Sequence, residues 1–147
     1  LASVNTHDLP PAAGYLEYGH VKLREQLGLL SGPVEEFQKS AEAEHNAMLS
    51  MLVDEGYLDA SALEDELANE NEIIDALYRG LKGSPCKLMA ASIVDAVGEK
   101  RTQNQPGTSN EYPNWRIPLA DGDGNVVPLE QLFDNTRLQE IAAIMRG

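Results

Sequence analysis

The stretch Ser3-Val4-Asn5-Thr6-His7-Asp8-Leu9-Pro10-Pro11 decides how the rest of the chain is read. It begins as a short, apolar-leaning strand, turns polar at a His-Asp pair and is stopped by two prolines. Proline has no amide donor and a fixed φ, so a regular strand cannot run on through Pro10 and Pro11. His7 and Asp8 are therefore predicted where a strand ends and a loop begins. In a parallel α/β barrel, catalytic side chains gather at such strand ends, which makes the pair the first candidates for chemistry. The same residues also suit a plain turn, with the Asp carboxylate closing a local hydrogen bond.

A chain of 147 residues is long enough for one domain with its own core. It opens directly on strand-like residues, without Met or a signal-peptide pattern, and we expect a piece of a larger protein. No run approaches the ~20 apolar residues of a membrane span. The single cysteine, Cys86, excludes an intrachain disulfide framework, and its apolar neighbours predict a small buried side chain. The cytoplasm is the expected location. A net charge of −13 argues against a nucleic-acid backbone or an anionic membrane as partner. Between Glu35 and Asp75 stand thirteen carboxylates and one cation, Lys39. Apolar residues punctuate that run at helical spacing, so it reads as the solvated face of packed helices.

The periodicity predicts a helix over Tyr18–Leu30, ended by Ser31-Gly32-Pro33. A second starts at Pro33 and runs to Gly56, with Glu35 and Glu36 at its positive end and Val34, Phe37, Ala41, Met48, Met51 and Leu52 as its apolar face. His45 lies in this helix with Leu49 at i+4, so it has no second ligand for a metal. A short helical segment after Asp59 and a clear helix through Ile73, Ile74, Leu77, Tyr78 and Leu81 follow, closed by Gly83 and Pro85. Cys86 to Val94 is apolar almost throughout, which predicts a strand buried on both faces leading into a short helix that stops at Gly98. The order strand, helices, strand, helix predicts two parallel strands in one sheet.

From Glu99 to Leu119 the periodicity disappears. Arg101-Thr102-Gln103-Asn104-Gln105-Pro106-Gly107-Thr108 and Glu111-Tyr112-Pro113-Asn114-Trp115-Arg116 hold amides, charges and aromatics. Such groups serve a sugar, whose hydroxyls need paired partners and whose ring faces need stacking, but they also suit an ordered surface loop. Asp121-Gly122-Asp123-Gly124-Asn125 fails as a calcium loop, because Val126 stands at the glycine position and Leu132 at the bidentate acid. A tight turn is expected there, then one amphipathic helix over Pro128–Met145. No metal site and no cofactor are expected.

Thr6-His7-Asp8-Leu9-Pro10, Gly83-Ser84-Pro85-Cys86, Asn104-Gln105-Pro106-Gly107-Thr108 and Glu111-Tyr112-Pro113-Asn114-Trp115-Arg116 occur in that order. Together they resemble the C-terminal part of a 4-alpha-glucanotransferase (amylomaltase, glycoside hydrolase family 77), over essentially the whole chain. The resemblance implies a (β/α)8 barrel in the intact enzyme, with Val4–Asp8 ending strand seven and Cys86–Ala91 as strand eight. Residues 1–147 would form the C-terminal part of one catalytic domain, with a helical insertion at about 33–82. This piece is then expected to be mostly α-helical with about two short parallel strands, since a whole barrel takes ~250 residues.

The implied reaction is retaining transfer of α-1,4-glucan segments between maltooligosaccharides, with nucleophile and acid/base upstream of this chain. Asp8 would stabilise the transition state, His7 and Asn104 would bind substrate, and Trp115 and Arg116 would be mainly structural. Alone, the 147 residues are expected to be inactive and open to self-association through sheet edges. Tyr15-Leu16 and Ile117 depart from the commoner family pattern. The rival readings are an amylase-like glucan hydrolase and a non-catalytic acidic helical binding module.

Overall fold

The first strand ends before the residues it presents. In a computed structural model describing residues 1–147, β1 is only Ala2–Ser3 and β2 only Met89–Ala90. They pair in parallel, Ala2 with Met89 and Ser3 with Ala90, and Ala2 N–H donates to the Leu88 carbonyl at 2.9 Å. Val4–Asp8 is thus not a strand: a turn closes instead, with Leu9 N–H donating to the Thr6 carbonyl at 3.1 Å. The expected strand over Cys86–Ala91 likewise shrinks to two residues. Leu88 is two-thirds exposed and Cys86 half-buried, because the sheet has two strands and no second layer lies over these side chains.

The rest is helical. α1 (Ala12–Leu16) fills what reads in sequence as loop, α2 spans Gly19–Gln26 and α3 Val34–Asp54. A 3-10 turn at Ala60–Glu64 is capped by Asp59, whose carboxylate accepts from Ser61 N–H at 2.8 Å. α4 is Glu70–Gly83 and α5 Ile93–Val97, the latter ended by Gly98 at φ 78°. The last predicted helix is two, α6 (Leu129–Leu132) and α7 (Thr136–Arg146). Asn135 starts α7 by accepting from Leu138 N–H at 2.8 Å, and its extended backbone breaks the continuity.

α3 buries Ala41, His45, Leu49 and Leu52, a face turned slightly from the predicted one, which leaves Met51 half-exposed. His45 is spent on structure: its Nε2 lies 2.6 Å from Glu66, and its ring packs against Tyr18. α4 buries Ile73, Ile74, Ala76 and Tyr78 completely and packs against α7 and α1. Leu16, Leu52, Leu58, Ala96 and Ile141 complete the same core. α1 is drawn into it by small residues. An added Cβ at Gly14 would overlap the Lys100 carbonyl, so only glycine lets α1 sit against the start of the 99–119 segment. The Asp121–Asn125 segment is the expected turn, with Asp121 accepting from Asp123 and Asn125 N–H at 3.0 and 2.9 Å. No helix is long and apolar enough to cross a membrane.

Candidate functional site

His7 and Asp8 project from the turn between β1 and α1, at the C-terminal end of the parallel pair. Pro10 and Pro11 keep this turn from extending the strand. Pro11 is buried, and its carbonyl accepts from Tyr15 N–H at 2.9 Å to open α1. The segment after α5 comes to meet the turn. Asn104 N–H donates to the His7 carbonyl at 3.1 Å, and the Asn104 side-chain amide donates to the Asp8 carboxylate at 2.6 Å. The three residues expected at the site are thus brought together. His7 Nε2 lies 3.5 Å from Asp8, but the two side chains are 58% and 48% exposed, so water screens that pair.

The loop that carries Asn104 is held by its own side chains. Asn114 accepts from Gln105 N–H at 2.7 Å and donates to Thr108 Oγ1 at 2.8 Å, while Thr108 donates back to the Gln105 carbonyl at 2.7 Å. Tyr112 is buried and donates to the Thr102 carbonyl at 2.7 Å. At the base of the loop, Glu99 is buried and accepts from Lys100, Arg101 and Ala120 N–H and from the Arg101 guanidinium. Burial alone would push the Glu99 carboxyl up, but these donors together hold it below its ordinary value. Arg101 is therefore occupied by Glu99 and by the Pro118 carbonyl, not free for a ligand.

Trp115 corrects the sequence reading. It is 63% exposed, and its ring centroid stands 5.0 Å from that of His7. Its backbone is left-handed at φ 61°, a region that is costly for a bulky side chain. Trp115 N–H donates to the Gln103 carbonyl at 2.9 Å, which holds that conformation. Arg116 is exposed and makes no side-chain hydrogen bond or ion pair, so it too is not a structural anchor. His7, Trp115 and Gln103 line a cleft of about 320 Å³ together with Asn5, Thr6 and Ala90–Ser92. Its walls combine amide, imidazole and indole groups with the apolar Leu9, Pro11 and Val94, and Asp8 and Asn104 lie outside this lining. No group of three or more His, Cys, Asp or Glu is placed to hold a metal ion.

The sequence profile of the 4-alpha-glucanotransferases matches residues 1–122. The chain belongs to the 4-alpha-glucanotransferase family. It is 48% identical over all 147 residues to a 4-alpha-glucanotransferase of Mycobacterium tuberculosis H37Rv and covers 20% of that protein. The Haemophilus influenzae 4-alpha-glucanotransferase is 28% identical over 141 residues, 94% of this chain and 19% of that one. In structure the chain resembles the amylomaltase of Corynebacterium glutamicum, with a TM-score of 0.85 and 36% identity over 97% of this chain and 21% of that one. The chain spans about a fifth of the length of the curated relatives it matches.

Within their stretches of sequence, Gln103 and Asn5 do not stand out. Nothing in local spacing marks them: Asn5 is placed by its bond to Asp95, 90 positions away, and Gln103 by the Trp115 N–H that its carbonyl accepts. The positive φ of Trp115 leaves no trace in sequence either, beyond its place after Pro113-Asn114 in a turn.

Proposed function

We propose that these residues form the C-terminal portion of the active site of a 4-alpha-glucanotransferase, which transfers α-1,4-glucan segments between maltooligosaccharides with retention. The observation that carries this reading is the double hold of Asn104 on His7 and Asp8, at the strand ends of the parallel pair. In this reading β1 and β2 belong to strands seven and eight of a barrel completed by the rest of the protein, with 33–82 as a helical insertion.

Retaining transfer needs a carboxylate nucleophile and a carboxylic acid/base, which lie outside this chain. Asp8 then serves as a third carboxylate. With one oxygen held by Asn104, its remaining lone pairs accept from sugar hydroxyls. Those bonds strengthen as positive charge grows at the anomeric carbon, which is how they lower the barrier and not merely KM. His7 offers a ring N–H to the same sugar, and Trp115 beside it offers an apolar face to a sugar ring. Gln103 lies in the same cleft as a donor and acceptor.

The test is the full-length protein on maltotriose, beside its Asp8→Asn variant. Glucose and longer maltooligosaccharides are expected from the wild type. Loss of both products in the folded variant supports the reading. Equal activity of the two forms would remove Asp8 from the mechanism, and release of glucose with no longer products would mark a hydrolase instead.

A further inference from the structure

Asp95 is 1% exposed, on α5, and no step of the proposed reaction uses it. Its two oxygens do different things. Oδ1 accepts from the Asn5 side-chain amide at 2.6 Å and from Ala12 N–H at 2.8 Å. Oδ2 accepts from the Tyr78 hydroxyl at 2.7 Å, which in turn accepts from Ser92 N–H at 3.0 Å. Asn5 and Ala12 bracket the segment Thr6–Pro11 that carries His7 and Asp8. That segment ends in two prolines without amide donors, and its Leu9 N–H is spent inside its own turn. Its hydrogen-bonded ties to the rest of the chain are Asn104 in the middle and the Pro11 carbonyl, which accepts from Tyr15 N–H, while a single carboxylate oxygen holds the two residues that flank it, Asn5 and Ala12.

We infer that Asp95 is a positioning residue for Asp8, with Oδ1 setting the height of the His7–Asp8 turn against the Asn104 loop and Oδ2 tying that setting to the core. The inference rests on the glucanotransferase reading for its effect on rate, and on geometry alone for its effect on Asp8. A carboxylate can accept from all three donors; burial pushes the Asp95 carboxyl above its ordinary value, while the bonds from Ala12, Tyr78 and Asn5 pull it back. Burying one is expensive unless every lone pair is used, and here the donors come from the turn, α1 and α4. An apolar side chain would fill the same space without that cost but could not grip both ends of the turn.

The division between the oxygens supplies the experiment, on the full-length protein with maltotriose. Asp95→Ser removes both grips, Asn5→Ala cuts one of the two Oδ1 bonds and leaves that from Ala12 N–H, and Tyr78→Phe cuts the core side alone. Asp95→Ser and Asn5→Ala are expected to lower kcat by about tenfold or more with KM within about twofold, the kind of loss a small misplacement of a reacting group produces. Tyr78→Phe is expected to lower Tm but keep kcat within about twofold, since it leaves Oδ1 in place. If Asp95→Ser does not fold, Asn5→Ala and Tyr78→Phe still make the comparison. Crystal structures of these variants read Asp8 directly: the Asp8–Asn104 contact should open in Asn5→Ala and persist in Tyr78→Phe. An unmoved Asp8 in Asn5→Ala, or a fall in kcat that follows Tm across all variants, overturns the inference. An inactive wild type would instead count against the glucanotransferase reading, and the crystallographic comparison would still decide this one.

Discussion

Asn104 and Asp8 lie 96 positions apart and share a hydrogen bond of 2.6 Å, while the Asn104 backbone holds the carbonyl of His7. One residue thus fixes both the carboxylate and the turn that carries it. Neither partner is buried, so the contact owes its geometry to the scaffolds behind it: Asp95 under the turn and the Asn114–Thr108 bonds under the loop.

If the proposed activity holds, Asp8→Asn in the full-length protein should lower kcat on maltotriose by about 10²–10³, the scale on which one preorganised electrostatic partner matters. Asn104→Ala should lower it less, by about tenfold, because the carboxylate survives and only its orientation is lost. Initial rates with glucose and longer-product detection check both. A larger loss in Asn104→Ala than in Asp8→Asn would reverse the assignment of roles.

Trp115→Ala should raise KM for maltooligosaccharides by about three- to tenfold, since an aromatic face contributes roughly 0.5–1.5 kcal/mol beyond simple burial. The effect on kcat should be smaller. Saturation curves with maltotriose and longer substrates measure the split, and an unchanged KM would remove the indole from the binding surface.

Glu99 predicts a pH dependence of stability. Its carboxyl titrates below its ordinary value in the folded chain, so its contribution is present above the unfolded pKa, about 4.3, and is lost as pH falls through the lower folded value. Urea unfolding of wild type and Glu99→Gln should therefore differ most above about pH 5 and converge in acid. A difference that stays constant down to pH about 3 would contradict the linkage.

Gly14→Ala should destabilise the chain by about 1–3 kcal/mol, because its methyl group has nowhere to go but into the Lys100 carbonyl. Since Lys100 leads into the Asn104 loop, some loss of activity should accompany the fall in Tm. Calorimetry checks the first and maltotriose turnover the second.

Long periodic stretches were legible from sequence: α3 and α4 carry enough turns for their apolar spacing to declare them, and Gly56, Gly83 and Gly98 mark ends where expected. α1 was not legible, because five residues of mostly small side chains give no period to read. The strands were overextended for the reverse reason: apolar runs announce burial, yet only two residues of each find a ladder partner. In the candidate site, His7 and Asp8 stand out by their place before Pro10-Pro11, whereas Asn104 was reached only through family resemblance. Trp115 is exposed on a left-handed backbone, a conformation that an aromatic residue in a loop does not announce in sequence. Asp95 was invisible, since a carboxylate in a short helix gives no sign that it faces inward.

In the proposed site, the left-handed backbone at Trp115 sets stability and ligand capture against each other at one position. Glycine accepts that conformation without steric cost, so Trp115→Gly would relax the loop while deleting the ring beside His7. A selection for heat resistance alone would drift toward small residues there and return a sturdier protein with a poorer grip on sugar.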